Sequence, residues 1–237
     1  MCAFIAFVIY FLISTPLYKV DVEGIDPEDC QRLALFRIRA KMWAHYKRRR
    51  GSDPQWKKKK SELWNLTEKM LGKSHKPMLN VKAAEAKGLL AFVLELLEEA
   101  VPKLVEHGPF RMRGEFLLQA ARAAVEVNTL LSSQGANVEV TPQEQQTLMD
   151  HYIRHVTMFR RGGGCLLPKH HLMVHLIQQC RSLGAPWLRA TYFDESLNGV
   201  IARIARSSHR NTFSETIHYK YAALQELAGP SAQHMRP

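Results

Sequence analysis

Helix start and stop signals recur along this chain from Asp26 onward, and they constrain its fold more than any other feature. Asp26 followed by Pro27 has the residue types of a helix N-cap and of a first helical position. Residues 141–144, TPQE, have the spacing of a capping box, and Pro168 is placed to begin another helix that runs to about Leu183. The sequence therefore predicts a mainly α, multi-helix domain.

Apolar residues between these signals recur every three or four positions, which is the period of one helix face. In the helix after Pro27, which we expect to run to about Tyr46, they are Leu33, Phe36, Ala40 and Trp43. In the helix after Thr141 they are Leu148, Tyr152, Val156 and Phe159. Two further helices are predicted over residues 81–106, where Pro102 bends or ends the helix, and over residues 114–131.

The first thirteen residues, MCAFIAFVIYFLI, form a continuous apolar run, and three interpretations of it stay open. It is a buried core strand or helix, or it is a membrane anchor that extends to Tyr18 and is held by the basic residues after it. A cleaved signal peptide would normally carry Lys or Arg before the apolar run, and this segment has neither. We therefore treat residues 1–20 as an apolar segment that is either a core remnant or a membrane anchor, with a cleaved signal peptide as the third interpretation.

Positive charge is concentrated in one short window of the chain. The formal net charge is +11, and residues 37–60 contain eleven Lys and Arg against one acid, Asp53. Such a patch attracts nucleic acid or an anionic membrane surface. Trp56 and Trp64 flank the basic run Lys57–Lys60 within this region, and basic residues mixed with aromatic ones suit nucleic acid. The nucleic-acid-binding residues predicted here are Lys47, Arg48, Arg49, Arg50, Lys57, Lys58, Lys59 and Lys60.

The sequence Arg-Arg-Gly-Gly-Gly at 160–164 predicts a hinge, because three successive glycines favour neither helix nor strand. We divide the chain at this point and at its two ends. The segments are the apolar residues 1–20, a helical domain over 21–160 with the basic patch 37–60, a C-terminal helical element over 161–228, and a loose tail over 229–237.

His171 and His175 are four residues apart in the predicted helix after Pro168, so both lie on one face, as two metal ligands would. This HxxxH pattern lacks the glutamate of a zinc hydrolase helix, and packed or hydrogen-bonded histidines are the competing interpretation. Candidates for a further ligand are Cys165, His170, Cys180, His209 and His218.

Charged residues also mark the stretch after residue 190. Asp194 and Glu195 lie before a predicted helix, where the helix dipole stabilises acids, or else one of them binds a divalent metal. Three arginines share one face of that helix and either bind phosphate or pair with acids of a neighbouring helix; they are Arg203, Arg206 and Arg210.

Residues 168–224 resemble the C-terminal part of transposase-like proteins of CACTA-related cut-and-paste DNA transposons, which use a three-carboxylate (DDE), RNase H-like core. The shared pattern is a PKxHxxxH helix, a Gly-x-Pro break, a Phe-x-Glu segment and a basic helix ending in His-x-Asn. The residues that carry it are Pro168, Lys169, His171, His175, Gly184, Pro186, Phe193, Glu195, His209 and Asn211. The resemblance implies that this chain is the helical C-terminal part of a truncated RNase H-like core.

In that family the last metal-binding carboxylate falls near Glu195, or at Asp194 if the register shifts by one, and its metal is Mg²⁺. The two earlier aspartates of such a core lie on strands, whereas this chain offers only Asp21 and Asp26 near its start. The resemblance therefore implies a catalytically inactive, transposase-derived fragment that binds DNA and is nuclear. The alternatives are a membrane-anchored helical protein, with residues 1–18 in the membrane, and a His/Cys zinc protein.

Overall fold

The structure is a computed structural model that describes residues 1–52, 62–133 and 139–183, together with Thr212, Glu215, Thr216 and Tyr219. Contacts divide the chain into two units, Met1–Trp187 and Leu188–Pro237. In the second unit, the Thr216 hydroxyl lies 3.4 Å from that of Thr212. The remaining description concerns the first unit.

Within its described residues the first unit contains seven α-helices and one two-stranded hairpin. The helices are α1 (Cys2–Ser14), α2 (Pro27–Ser52), α3 (Glu68–Leu71), α4 (Ala83–Ala100), α5 (Gly108–Ser133), α6 (Pro142–Arg161) and α7 (Pro168–Leu183). The hairpin pairs β1 (Gly72–Lys73) antiparallel with β2 (Lys76–Pro77), and a 3-10 turn (Val101–Leu104) follows α4. The prediction of a mainly α, multi-helix domain is confirmed.

The local helix signals act as their residue types suggest. The Asp26 carboxylate accepts a hydrogen bond of 2.8 Å from the backbone N–H of Glu28, at the start of α2. At the start of α6, the Glu144 N–H donates to the Thr141 hydroxyl at 3.2 Å, and the Thr141 N–H donates to the Glu144 carboxylate at 2.8 Å. These bonds satisfy backbone donors that the first turn of a helix leaves without partners.

The N-terminal helix α1 lies at the centre of the hydrophobic core. A helix that is apolar on all sides is expected to be enclosed on all sides. It contacts α2, α4 and β2, and its Phe4 ring lies edge-on to Phe159 of α6 at 5.4 Å. The buried residues of α1 are Phe4, Ile5, Ala6, Val8, Ile9, Phe11, Leu12 and Ile13. In the described part of the chain, every helix is too short or too polar to cross a bilayer.

Helix α2 does not bury the apolar stripe that its sequence shows most clearly. Leu33, Phe36 and Trp43 are exposed by 45%, 54% and 38%, so the helical spacing is right but this stripe faces solvent. The buried face contacts α1, and its His45 ring lies 5.6 Å from the Phe92 ring of α4. It consists of Cys30, Ala34, Leu35, Ile38, Met42, His45 and Tyr46. A helix with two apolar sides can bury either one, and the choice depends on its contacts with other helices.

The three glycines after α6 form a packed turn that leads into α7. Gly163 has a positive φ of 87°, which favours glycine. A Cβ atom added at Gly164 would lie 2.0 Å from the buried ring of Phe159. The Arg113 guanidinium donates a 2.7 Å hydrogen bond to the Gly162 carbonyl. Close approach of neighbouring groups, together with the positive φ, therefore accounts for glycine in this turn.

Candidate functional site

The exposed stripe of α2 combines aromatic rings with cations on one face, which we call the α2 outer face. Its residues on the helix recur every three or four positions and are Leu33, Phe36, Ala40, Trp43, Lys47 and Arg50. Trp64 extends this face, because the Trp43 indole N–H donates a 2.8 Å hydrogen bond to the Trp64 carbonyl. The Phe36 and Trp43 rings meet edge to face at 6.3 Å, and the Trp64 side chain is 60% exposed. Three aromatic rings are thus open to solvent along one surface.

Cationic side chains hold these rings in place and add positive charge beside them. The Arg39 guanidinium lies 5.8 Å from the centre of the Phe36 ring and donates a 2.6 Å hydrogen bond to the Leu66 carbonyl. The Arg50 guanidinium lies 5.3 Å from the centre of the Trp64 ring. Cation–π contacts of this kind attract the guanidinium to the ring, and Phe36 and Trp64 remain more than half exposed beside them.

The four basic residues predicted at the end of α2 do not share one environment. Lys47 is exposed on the α2 outer face, one helical turn beyond Trp43. Arg48 instead forms an ion pair with Glu95 of α4, whose other oxygen lies 2.6 Å from Nδ1 of the buried His45. Arg49 is half-buried.

Arg50, the last of the four, lies 3.3 Å from the Glu62 carboxylate as well as over Trp64. Of the predicted patch, Lys47 and Arg50 therefore join the aromatic face, while Arg48 is directed toward α4. The other predicted site residues lie outside the described residues. They are the four lysines Lys57, Lys58, Lys59 and Lys60, the three arginines Arg203, Arg206 and Arg210, and the two acids Asp194 and Glu195.

A second cationic surface lies at the C-terminal end of α6, and no pattern in the sequence had predicted it. Arg160 and Arg161 flank an open cleft of about 500 Å³, together with Val156, Thr157 and Leu166. Within the described residues neither arginine forms an ion pair. The sequence does contain one indication of this surface: no Asp or Glu lies between Asp150 and Asp194, so local acids cannot pair with Arg160 and Arg161.

The predicted histidine pair is assembled on the surface of α7. The Nε2 atoms of His171 and His175 lie 2.9 Å apart, and their rings meet edge to face with centroids separated by 4.4 Å. Both side chains are exposed. The Nδ1 atom of His175 lies 3.2 Å from the side-chain oxygen of Gln178, one turn further along the helix.

The structure does not bring a third predicted ligand to this pair from the residues it describes. His170 is half-buried, its Nδ1 atom lies 2.8 Å from the Leu167 N–H, and its carbonyl accepts a hydrogen bond from the Tyr152 hydroxyl at 2.9 Å. Cys180 is buried, and Cys165 is exposed on the turn before α7. Residues 1–52, 62–133 and 139–183 contain no group of three or more His, Cys, Asp or Glu side chains placed to hold a metal ion. His209 and His218 lie outside the described residues.

Comparison of the chain with protein-family models, with curated proteins and with solved structures found no match. Three features of the molecule remain from which a function can be inferred: the α2 outer face, the cleft at Arg160 and the histidine pair.

Proposed function

We propose that this protein binds nucleic acid through the α2 outer face, with unpaired bases stacked on its exposed rings. The observation that carries the proposal is the placement of Phe36, Trp43 and Trp64 in solvent, beside the cations Lys47 and Arg50. Proteins that bind single strands combine aromatic rings, on which bases stack, with positive charge that follows the backbone. Since duplex bases are already stacked on each other, the α2 outer face favours single-stranded segments.

The charge of the chain favours an anionic partner over a neutral protein surface. Exposed apolar patches often mark interaction sites, and a purely apolar patch would suit another protein. On the α2 outer face, however, guanidinium groups lie against two of the rings, at Phe36 and Trp64. Together with the net charge of +11, this arrangement supports long-range attraction of a polyanion followed by stacking of its bases.

We propose binding without catalysis. This proposal is compatible with the transposase origin that the resemblance of residues 168–224 implies. A fragment of that kind keeps affinity for DNA without needing Asp194 or Glu195 as metal ligands. The α2 outer face lies far upstream of the residues that carry the resemblance. Binding at the α2 outer face and transposase ancestry are therefore separate proposals, and a binding titration tests the first.

Binding is measured by fluorescence anisotropy with a labelled single-stranded oligonucleotide over a range of salt concentrations. We expect the logarithm of the binding constant to fall linearly with the logarithm of salt concentration, by about 0.7 for each phosphate contacted. Trp43→Ala removes a stacking ring and should weaken binding by about 1–3 kcal/mol, which is roughly fivefold to 150-fold, without changing the salt slope. Lys47→Gln should reduce the magnitude of the slope by about 0.7.

Two matched variants on α7 serve as controls. Leu172→Ala removes an apolar side chain that is 63% exposed, and Lys169→Gln removes one exposed positive charge. Neither should change the affinity more than about twofold, since surface changes away from a binding site have small effects. Binding that is insensitive to salt, or that survives Trp43→Ala unchanged, contradicts the proposal. A loss of affinity on Arg160→Gln, with Trp43→Ala unchanged, would move the interface to the cleft at Arg160.

A further inference from the structure

We infer that His171 and His175 form a two-nitrogen chelate for a divalent metal ion of the late first transition row, such as Ni²⁺, Cu²⁺ or Zn²⁺. This site is independent of the nucleic-acid-binding proposal. The two imidazoles project from successive turns of α7, are exposed to solvent, and present their Nε2 atoms to each other at 2.9 Å. An ion from solution can therefore reach both nitrogens without any movement of the backbone.

The separation of the two nitrogens matches the geometry of cis ligands on one metal ion. Imidazole nitrogens bind such ions at about 2.0–2.1 Å. An ion at about 2.05 Å from each of two nitrogens 2.9 Å apart makes an angle of about 90° between them. This angle is that of neighbouring positions in square-planar or octahedral coordination, which Cu²⁺ and Ni²⁺ prefer. A tetrahedral ion such as Zn²⁺ requires the nitrogens to separate to roughly 3.3 Å, a small rotation of two exposed side chains.

Gln178 orients one of the two rings for this purpose. Its side-chain oxygen lies 3.2 Å from Nδ1 of His175 and can accept a hydrogen bond from it in the tautomer that leaves a lone pair on Nε2. With His175 in that tautomer, the 2.9 Å contact between the two Nε2 atoms is a hydrogen bond donated by His171. On metal binding the His171 hydrogen moves to Nδ1, so both Nε2 lone pairs face the ion with no change in the net protonation of the pair.

The surroundings select the class of metal. Hard cations such as Mg²⁺ and Ca²⁺ require several oxygen ligands, and α7 contains no Asp or Glu. Lys169 and Arg181 on the same helix add positive charge, which opposes cations held only by electrostatic attraction. Late transition metals form strong bonds to neutral imidazole, and among the divalent ions of the first transition row Cu²⁺ has the highest affinity for such sites. With two protein ligands, such an ion keeps further coordination positions open to water or to a solute.

The test is titration of the full, untagged chain with Ni²⁺, followed by calorimetry, since Ni²⁺ does not oxidise the exposed thiol of Cys165. We expect one site of measurable affinity. His171→Asn and His175→Asn should each weaken it by about tenfold or more, because a chelate becomes a single ligand, and the double variant should lose it. Gln178→Ala should weaken it by a smaller factor, because the ring of His175 loses its orienting acceptor.

A matched control is His75→Asn, which removes an exposed histidine on the hairpin turn and should leave the affinity unchanged. Thermal unfolding followed by circular dichroism shows whether each variant is folded, and exposed histidines should tolerate the change. In the wild type, Ni²⁺ should also broaden the NMR signals of the His171 and His175 rings before those of His75. Equal Ni²⁺ affinity in the wild type and in His171→Asn and His175→Asn, or broadening that begins at another histidine, overturns the inference.

Discussion

The buried His155 should make the folded state sensitive to mild acid. Its side chain is 4% exposed, its Nδ1 donates a 2.9 Å hydrogen bond to the Ala120 carbonyl, and the Phe4 ring lies edge-on to it at 5.0 Å. Burial lowers the pKa of His155 from 6.5 to about 4, and positive charge at the N-terminal amino group and His170 acts in the same direction. The folded protein therefore holds this ring neutral, while the unfolded chain protonates it near pH 6.5.

The sign and size of the effect follow from the two pKa values. Because the unfolded chain binds the extra proton first, the free energy of unfolding falls as the pH drops from about 6.5 toward about 4. For pKa values of 6.5 and about 4, His155 removes about 2 kcal/mol of stability at pH 5 and about 3 kcal/mol below pH 4. Above pH 7 the ring is neutral in both states, so it contributes no pH dependence there.

The measurement is urea unfolding, followed by circular dichroism, at about pH 7.5 and about pH 5. His155→Gln keeps a hydrogen-bond donor for the Ala120 carbonyl and removes the titration. From pH 7.5 to pH 5 the free energy of unfolding of the wild type should fall by about 2 kcal/mol more than that of this variant. Comparing the two falls removes the variant's own loss of stability and the contribution of all other titrating groups. His75→Gln, at an exposed position, should behave as the wild type does. Equal losses in wild type and His155→Gln would refute the reasoning.

Two further predictions concern packing, and thermal or urea unfolding tests both. Phe4→Ala, in the centre of the core, should cost about 3–5 kcal/mol, whereas Phe36→Ala on the exposed face of α2 should change stability by no more than about 0.5 kcal/mol. Similar losses in the two variants would contradict the assignment of buried and exposed faces. Gly164→Ala should destabilise by about 1–3 kcal/mol, since the new methyl group meets the Phe159 ring, whereas Gly51→Ala in α2 meets nothing within 4 Å and should stabilise by about 0.5–1 kcal/mol. A neutral Gly164→Ala variant would show that the turn after α6 has room that the structure does not indicate.

The distribution of ion pairs shows why the number of charges in a sequence window is a poor guide to the charge available for binding. Lys41 pairs with Glu99 at 2.5 Å, and Arg48 pairs with Glu95. Both carboxylates belong to α4, about fifty residues further along the chain. A window that covers residues 37–60 contains the cations but not these partners, so it overstates the free positive charge of α2.

The sequence by itself determined the helices, because the groups that start and stop a helix lie within three or four residues of one another. The Asp26 cap, the Thr141–Glu144 bonds and the start of α7 at Pro168 were all predictable on that ground. The sequence also placed His171 and His175 on one face of a helix, since that requires only the helical period.

Only the tertiary structure decided which surfaces are buried and which remain open. Contacts with helices distant in sequence determine that α1 lies in the core. Such contacts also determine which of its two apolar faces α2 buries. The pairing of Arg48 with Glu95 and the close packing of Gly164 against Phe159 have the same origin. Local residue patterns fix backbone conformation, whereas burial is a property of the whole packed chain. The α2 outer face is exposed because the opposite side of that helix is the one that packs against the core.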